Sequence, residues 1–439
     1  MRQFLLIVCL LVHGAIAVDV EIRYSPPRTL TFTLPVTDVG AVVFHYHIKH
    51  MAYLGTGVKT ATGWEYTTNK TNLEGAGLVS AYAVVNDMDG ESVVVTNHTF
   101  LSLGNYNNKR SIRRAPGKSI RGAAFFRDDF DNFNGGNWNY EVSMYGGYNG
   151  EFQVYTNDPK NVFTRGGNLY VYPIPTVSDG RFDENFLHTG VMDLTKLFGY
   201  CTESALNGCY RDGHNGILPP VMSGKVKSVP LLNFGILEVR AKIPKGDWLW
   251  PAIWLLPKDD SYGQWPRSGE IDIMESRGNN GDIGVGTVTT TLHWGPSADQ
   301  NRFMKTHGEK KAGSWHDDFH TWRLEWTQDH IATFVDNQQI VYVDPGSGGF
   351  WAYGGFNGGN IWGSKMAPFD KNFYLMFNVA VGGTSGFFPE GDYYGVRKPW
   401  ANNSPRAAED FWNAHNDWLP TWQGDNAALL IDYVEFRYL

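Results

Sequence analysis

Residues 268–276 read SGEIDIMES, in which acidic and aliphatic side chains alternate as they do in a half-buried β-strand. Successive side chains of a strand point to opposite faces, so Glu270 and Asp272 share one face and the isoleucines beside them point into a core. Glu275 would fall on the wrong face unless one extra residue, at Met274, forms a β-bulge. The run therefore predicts a bulged strand with three carboxylates on one face.

Acidic residues on a strand can also be the ordinary solvent face of a sheet. Adjacent like charges on one face repel each other, however, and a face selected for stability would intersperse Lys or Thr. The run is also surrounded in sequence by tryptophans, whose flat rings stack well on sugar rings: Trp248, Trp250, Trp254, Trp265 and Trp294. Acids among indoles favour a carbohydrate cleft over a plain polar surface.

Hydrolysis of a glycosidic bond gives such a row of acids a purpose. One carboxyl must be protonated to release the leaving group, and an ionised carboxylate must stand opposite it. Neighbouring negative charges raise the pKa of one carboxyl and leave another low, so a cluster can divide these roles. A gap of about 5 Å is the retaining geometry. We expect retention, with Glu270 and Glu275 leaning towards each other.

The remainder of the chain reads as two β domains. From residue 125 onwards, short β-like runs follow one another between Gly, Pro, Asn and Asp breaks: 168–172, 235–243, 252–256, 270–275, 287–294, 322–326, 331–335, 372–379 and 430–436. Sustained helical periodicity is nearly absent, which predicts one large all-β jelly-roll sandwich over residues 122–439. The alternating runs in residues 18–104 predict a small immunoglobulin-like β-sandwich before it.

Residues 1–17 have the form of a signal peptide: Arg2, an apolar run over 4–12, and the small-residue pattern Ala15-Ile16-Ala17. The run is too short to span a bilayer, so we expect a secreted, extracellular protein with no membrane span. Residues 105–121 are rich in Lys and Arg and predict a basic linker. Its dibasic pairs also allow proteolytic processing.

An oxidising compartment favours a disulfide between Cys201 and Cys209. The sequons at Asn69, Asn97 and Asn402 predict N-glycosylation sites. The formal net charge of −8 argues against a nucleic acid as partner. We expect a monomer that requires no cofactor or metal for its chemistry.

Two longer runs carry a family resemblance: GILEVRAKIPKGDWLWPAIWLLP at residues 235–257 and WPRSGEIDIMESRGN at residues 265–279. Together with TLHWGP at 291–296, NVAVGG at 378–383 and IDYV at 431–434, they resemble glycoside hydrolase family 16. Within that family, the animal β-1,3-glucanases and the β-1,3-glucan recognition proteins of innate immunity are the most similar. The resemblance covers nearly all of residues 125–439 and implies a concanavalin-like jelly roll.

The resemblance also implies roles for single residues. Glu270 would be the nucleophile, Glu275 the general acid and then base, and Asp272 would hold the nucleophile by hydrogen bonding. The positions that match the family's substrate contacts are Trp250, Trp254, Trp265, His293, Asn378 and Arg240. His293 would reach the leaving-group side, and Asn378 would contact a glucose hydroxyl. Ser223 to Lys227 departs from the family pattern, which puts an outer substrate contact in doubt.

The bulged form of the strand resembles the β-1,3-glucanases, which implies endo cleavage of laminarin-type β-1,3-glucan. The recognition proteins are the main alternative, because they keep the fold but typically lose one or both glutamates; both are present here. A transglycosylase is chemically close, since an acceptor sugar replaces water. The resemblance also implies glucan binding by the N-terminal domain, and a structural calcium in which Asp129, Asp131 and Asp432 could take part.

Overall fold

The computed structural model of the protein describes residues 20–25, 29–35, 41–48, 51–69, 78–86, 93–95, 99–102, 122–393 and 396–439. The chain forms two compact units, residues 1–116 and residues 117–439. The predicted signal peptide, the basic linker and Asn97 lie outside the described residues. Among the described residues, no helix has the length and apolar character needed to cross a membrane.

The first unit contains two antiparallel sheets, one with strand order β1-β2-β6-β5 and one with order β4-β3-β7-β8 in which β9 also pairs with β7. Its strands are β1 (Glu21–Ser25), β2 (Thr29–Leu34), β3 (Ala41–Ile48), β4 (Met51–Thr56), β5 (Val58–Thr60), β6 (Gly63–Asn69), β7 (Leu78–Asn86), β8 (Val93–Val95) and β9 (Thr99–Ser102). Every second residue of β2 is buried, and the ring centre of Phe32 lies 6.2 Å from that of Phe44 in the other sheet. This is the small two-sheet sandwich that the alternating pattern predicted.

The described residues of the second unit form β10 to β31 and five short α-helices. Its first strands are β10 (Ala124–Asp128), β11 (Trp138–Tyr140), β12 (Gln153–Tyr155), β13 (Val162–Arg165), β14 (Asn168–Val171), β15 (Ile174–Pro175), β16 (Val191–Asp193), β17 (Tyr210–Asp212), β18 (Val221–Ser223), β19 (Lys225–Leu232) and β20 (Gly235–Lys242). The others are β21 (Leu249–Pro257), β22 (Glu270–Ser276), β23 (Thr287–His293), β24 (His307–Lys311), β25 (His320–Trp326), β26 (Ile331–Val335), β27 (Gln338–Val343), β28 (Phe373–Val381), β29 (Asp392–Tyr393), β30 (Val396–Arg397) and β31 (Leu429–Arg437). The helices are α1 (Glu184–Thr189), α2 (Leu194–Phe198), α3 (Gly349–Gly354), α4 (Ala407–Asn413) and α5 (His415–Trp418). Single 3-10 turns occupy Gly146–Tyr148, Thr176–Ser178, Ala205–Asn207, Gly213–Asn215, Ala298–Gln300, Phe303–Lys305, Leu419–Thr421 and Gly424–Ala427.

Two large antiparallel sheets form the sandwich. The front sheet has the order β11-β19-β28-β21-β22-β23-β24, and the back sheet has the order β13-β14-β31-β20-β25-β26-β27 with β10 on β31. Small pairings add β12-β18-β15, β16-β17 and β29-β30 at the margins. The predicted jelly-roll sandwich is confirmed.

The alternation of the back sheet shows where the core lies. In β20, Leu237, Val239 and Ala241 are fully buried, whereas the residues between them are partly exposed. In β28 of the front sheet, burial is almost continuous, so both faces of that strand are covered. The core therefore lies between the sheets, and a second layer of side chains covers the outer face of the front sheet.

Local turn chemistry fixes the register of the hairpins. Asp336 and Asn337 connect β26 to β27 with positive φ values of 47° and 63°. A two-residue turn with both φ values positive matches the twist of the flanking strands, and Asp and Asn tolerate that conformation better than most residues. The sequence turn thus sets the pairing of Val335 with Gln338.

The predicted disulfide between Cys201 and Cys209 is present. The side-chain amide of Asn402 donates to the carbonyl of Phe388 and accepts from the Lys398 ammonium. Glycosylation of Asn402, and of Asn69 at the end of β6, stays a prediction. The short helices were not foreseen, because none has enough turns to show a helical period.

Candidate active site

Strand β22 carries the three carboxylates on a bulge, as predicted. Opposite it in β21, Ala252 pairs with Glu275 and Trp254 pairs with Asp272, so three steps of β22 match two steps of β21. The pairing with β23 shifts at the same place. Ile273 and Met274 at the bulge are both fully buried in the core. The extra residue therefore returns Glu275 to the outer face of the front sheet, beside Asp272.

His293 of β23 joins this cluster, because it pairs directly with Glu270 across the sheet. Its Nε2 atom lies 3.8 Å from Glu270 Oε1 and 3.3 Å from Asp272 Oδ2. Candidate ligand atoms of these three residues all lie within 4.8 Å of one another, so they could also hold a metal ion. Their mutual contacts couple two carboxyl groups to one imidazole.

Burial dominates the ionisation of this cluster. Burial raises the pKa of Glu270 to about 8; the charges of Asp272 and Glu275 add to this rise, whereas His293 and the Trp265 hydrogen bond oppose it. Burial also raises the pKa of Asp272 well above its ordinary value, with the charge of Glu275 adding to it. Burial and mutual repulsion thus favour the protonated form of both Glu270 and Asp272.

Each candidate catalytic glutamate accepts a hydrogen bond from an indole. Trp265 Nε1 donates to Glu270 Oε2 at 3.0 Å, and Trp250 Nε1 donates to Glu275 Oε1 at 2.9 Å. Trp265 lies on the loop before β22 and is 46% exposed, so its ring is available to a sugar. These donors stabilise the ionised carboxylates and fix their orientation.

Trp250 differs from the open sugar platform that the resemblance implied. Phe387 stacks on its ring at a centroid distance of 3.7 Å and an interplanar angle of 4°. The guanidinium of Arg277 lies over Phe387, 4.5 Å from the centre of its ring. One face of Trp250 is therefore covered, and the contact that the structure gives its N–H group is with Glu275.

Trp254 is held in place by a second row of side chains. Its Nε1 donates to Asn378 Oδ1 at 2.6 Å, and Asn378 Nδ2 donates to the Tyr155 hydroxyl at 3.0 Å. Asn378 is only 5% exposed. Its amide therefore anchors Trp254; its predicted contact with a glucose hydroxyl stays a prediction.

Lys225 lies at the position where the sequence departs from the family pattern. It is buried, forms an ion pair of 2.9 Å with Glu141, and lies 5.0 Å from the Trp254 ring. The register pairs Lys225 with Asn378, so its side chain belongs to the same face as the carboxylates. The departure from the family pattern thus places the Lys225 ammonium, which is paired with Glu141, beside Trp254, a candidate sugar-stacking residue.

Arg240 requires a correction. It lies in β20 of the back sheet, forms an ion pair of 2.5 Å with Asp432, and stacks on Phe319. The alternation of β20 directs its side chain away from the sandwich core and from the front sheet. Arg240 is therefore not part of the site that Glu270 and Glu275 form.

Two of the residues suggested for calcium form ion pairs with arginines. Asp129 pairs with Arg127 at 2.6 Å, and Asp432 pairs with Arg240. Calcium binding by these residues and Asp131 stays a prediction.

Several residues of the site gave no sequence signal. Phe387, Tyr155 and Asn301 each contact a predicted site residue, and Glu141 pairs with Lys225. Asn301 follows β23, but the other three come from parts of the chain distant from their partners. The alternation within a strand shows which of its residues share a face. Contacts made by side chains from other parts of the chain depend on the path of the whole chain. Only the departure at Ser223–Lys227 was visible, as the position of Lys225.

Comparison with known proteins places the chain. The family model for glycosyl hydrolases family 16 matches residues 202–348. A β-1,3-glucan-binding protein of Penaeus monodon is 46% identical over 329 residues, covering 70% of this chain and 88% of that protein. β-1,3-Glucan-binding protein 1 of Galleria mellonella is 34% identical, covering 74% of this chain and 65% of that protein. A glucan endo-1,3-β-glucosidase of Cryptopygus antarcticus is 32% identical, covering 59% of this chain and 82% of that protein. The chain therefore belongs to glycosyl hydrolases family 16.

Proposed function

We propose that this chain is a secreted protein that binds β-1,3-glucan and cleaves it internally, with retention of configuration. The observation that carries the proposal is the bulge of β22, which brings Glu270, Asp272 and Glu275 to one face. A separate indole N–H group on each glutamate supports two distinct roles for them. The name of the Cryptopygus antarcticus relative, a glucan endo-1,3-β-glucosidase, supports the same reaction.

The reaction follows from these positions. In the first step, Glu270 attacks the anomeric carbon while Glu275 gives its proton to the departing glycosidic oxygen. In the second step, Glu275 takes a proton from water, and that water displaces Glu270 from the sugar. Glu270 attacks in its ionised form, and Asp272 would hold it by hydrogen bonding. Trp265 and Trp254 would stack on the sugar rings.

A second function, glucan recognition without hydrolysis, has its own support. The relatives from Penaeus monodon and Galleria mellonella are named as glucan-binding proteins. Burial raises the pKa of Glu270 to about 8. Only about one tenth of such a group is ionised at pH 7, which would make turnover slow. In this function the protein would serve innate immunity as a β-1,3-glucan sensor.

One experiment separates the two functions. The purified secreted protein is incubated with laminarin, and new reducing ends and laminarin affinity are both measured. Hydrolysis predicts release by the parent and none by Glu270→Gln, with affinity kept in both. Glu309→Gln is the matched control, because Glu309 is an exposed residue of β24 in the same sheet. Binding without release by the parent would leave only the sensor function.

The roles of the two glutamates can then be assigned with azide and an activated aryl glucoside. In Glu275→Ala, azide should intercept the glycosyl-enzyme and yield the β-glycosyl azide. In Glu270→Ala, azide should attack directly and yield the α-glycosyl azide. The opposite pattern would exchange the two roles.

A further inference from the structure

The orientation of Asn301 is fixed by the backbone around it. Its Oδ1 accepts from the backbone N–H groups of Trp294, at 3.2 Å, and Phe303, at 3.1 Å. Only the oxygen of an amide can accept two such donors, so the amide nitrogen is the atom that faces His293. That nitrogen lies 2.8 Å from His293 Nδ1.

The loop that carries Asn301 is closed on itself. The backbone N–H of Arg302 donates to the carbonyl of Trp294 at 2.8 Å. At Gly295, an added Cβ would come within 2.5 Å of the Gln300 carbonyl, so the loop can pack this closely only because no side chain is present there. Asn301 therefore cannot easily turn its amide around.

An amide nitrogen has only hydrogens to offer, so His293 Nδ1 must present its lone pair. The proton of the neutral ring then lies on Nε2, which faces Asp272 Oδ2 and Glu270 Oε1. Phe303 stacks on the imidazole at 5.3 Å, and Trp265 lies 5.6 Å away on another side, so the ring plane is held as well.

Three basic residues near this loop have partners of their own. Arg302 donates to the Gly354 carbonyl and lies over Phe356, and Lys305 lies over Tyr353. His307 contacts Thr291 through its ring nitrogen. Glu270 and Asp272 are thus the charged groups that the structure places against His293.

We propose that Asn301 is a positioning residue that holds His293 in the tautomer protonated on Nε2, so that His293 presents an N–H group, and not a lone pair, to Asp272 and Glu270. An N–H group on Nε2 can donate to either carboxylate and so orient both, whereas a lone pair there would repel them. This role rests on the proposed function, but its first test does not depend on turnover.

The test is the ring-nitrogen NMR spectrum of the full-length protein labelled with ¹⁵N-histidine, at pH 7. His293→Gln identifies the signals of His293 by their loss. We expect the parent to show an unprotonated Nδ1 and a protonated Nε2 for this residue. A protonated Nδ1 in the parent, in either the neutral or the charged ring, would overturn the proposal whether or not laminarin is hydrolysed.

The informative variant is Asn301→Asp. It keeps an oxygen for the two backbone donors, so the loop should still fold, but it presents an acceptor to His293. We expect Nδ1 to become protonated and kcat on laminarin to fall about tenfold with KM unchanged. Asn337→Asp, in the exposed turn between β26 and β27, is the matched control and should change neither. An unprotonated Nδ1 in Asn301→Asp, or a protonated Nδ1 with kcat unchanged, would refute the role of Asn301.

Discussion

The hydrogen bond from Trp265 to Glu270 makes a prediction that can be worked out in numbers. Trp265→Phe keeps an aromatic ring and removes only the N–H group that lies 3.0 Å from Glu270 Oε2. A hydrogen bond to a charged group contributes about 1.5–3 kcal/mol, and since Trp265 is 46% exposed we take the lower end. About 1.4 kcal/mol equals one pKa unit, so the pKa of Glu270 should rise further, from about 8 to about 9.

The consequence is a change in the shape of the pH profile. Below its pKa, the ionised fraction of Glu270 falls tenfold for each unit by which the pKa rises. The ratio of kcat/KM on laminarin, variant over parent, should therefore be about one tenth at pH 6 and should rise towards its plateau above pH 9. Taking the ratio removes every titration that the two proteins share.

Trp254→Phe is the matched control, because its N–H group donates to Asn378 and not to a carboxylate. Its ratio to the parent should not vary with pH, even if a weaker sugar contact lowers it throughout. A flat ratio for Trp265→Phe as well would refute the reasoning that this indole tunes Glu270.

Four further predictions concern stability and the limits of the site. Folding raises the pKa of Glu270 from 4.5 to about 8, so the stability that its protonated form provides is lost as the pH rises through 8. Glu270→Gln should therefore raise Tm more at pH 8.5 than at pH 5. An equal rise in Tm at both pH values would contradict the burial argument. Asp247 is buried with an oxygen that has no hydrogen-bond partner, and burial raises its pKa from 3.8 to about 6. The parent should therefore lose at most about 3 kcal/mol of unfolding free energy between pH 4 and pH 7 because Asp247 ionises, and Asp247→Asn should not show this loss. Denaturant titration of both proteins at the two pH values measures it. Replacing Cys201 and Cys209 by Ser opens a loop with a sequence separation of 8 and should lower the unfolding free energy of the second unit by about 2.5 kcal/mol; an unchanged denaturation midpoint would show that the loop is already ordered by other contacts. Arg240→Ala should leave laminarin affinity unchanged in a pull-down with insoluble glucan, since Arg240 lies in the back sheet, and a clear loss of binding would return it to the site.

The strand that carries the three carboxylates could be predicted from sequence because its information is local. An alternation of period two places Glu270 and Asp272 on one face, and the odd offset of Glu275 demands one extra residue. The observed register shift lies where that count requires it. Local alternation also predicted β20, β26 and β31 to within two residues of their ends.

The prediction for Arg240 was wrong for a related reason. Alternation shows that Arg240 faces away from the core, but it does not show which of two sheets the strand joins. Both sheets of a sandwich have an outward face, and only one of them carries the carboxylates. The choice of sheet depends on strand order, which is set by contacts between distant parts of the chain.

The side chains that pack around the predicted site residues could not be predicted from sequence for the same reason. The stack of Phe387 on Trp250 joins residues 137 positions apart, and the ion pair of Lys225 with Glu141 joins residues 84 positions apart. No periodic pattern links such pairs. Sequence therefore predicted candidate sugar contacts, and the structure was needed to show which side chains hold them.

The free energy needed to ionise buried carboxyl groups bears on the choice between an enzyme and a glucan sensor. Burial raises the pKa of both Glu270 and Asp272, so ionising either one opposes folding. A site that only binds glucose rings could use Gln or Asn at these positions, with hydrogen bonds to hydroxyls and no such cost. The indole donors at Glu270 and Glu275 stabilise the charged forms, which matters only where charge must develop. If Glu270→Gln gains stability and keeps its affinity for laminarin, the carboxylate has no role in folding or binding, and chemistry is the remaining reason for its presence.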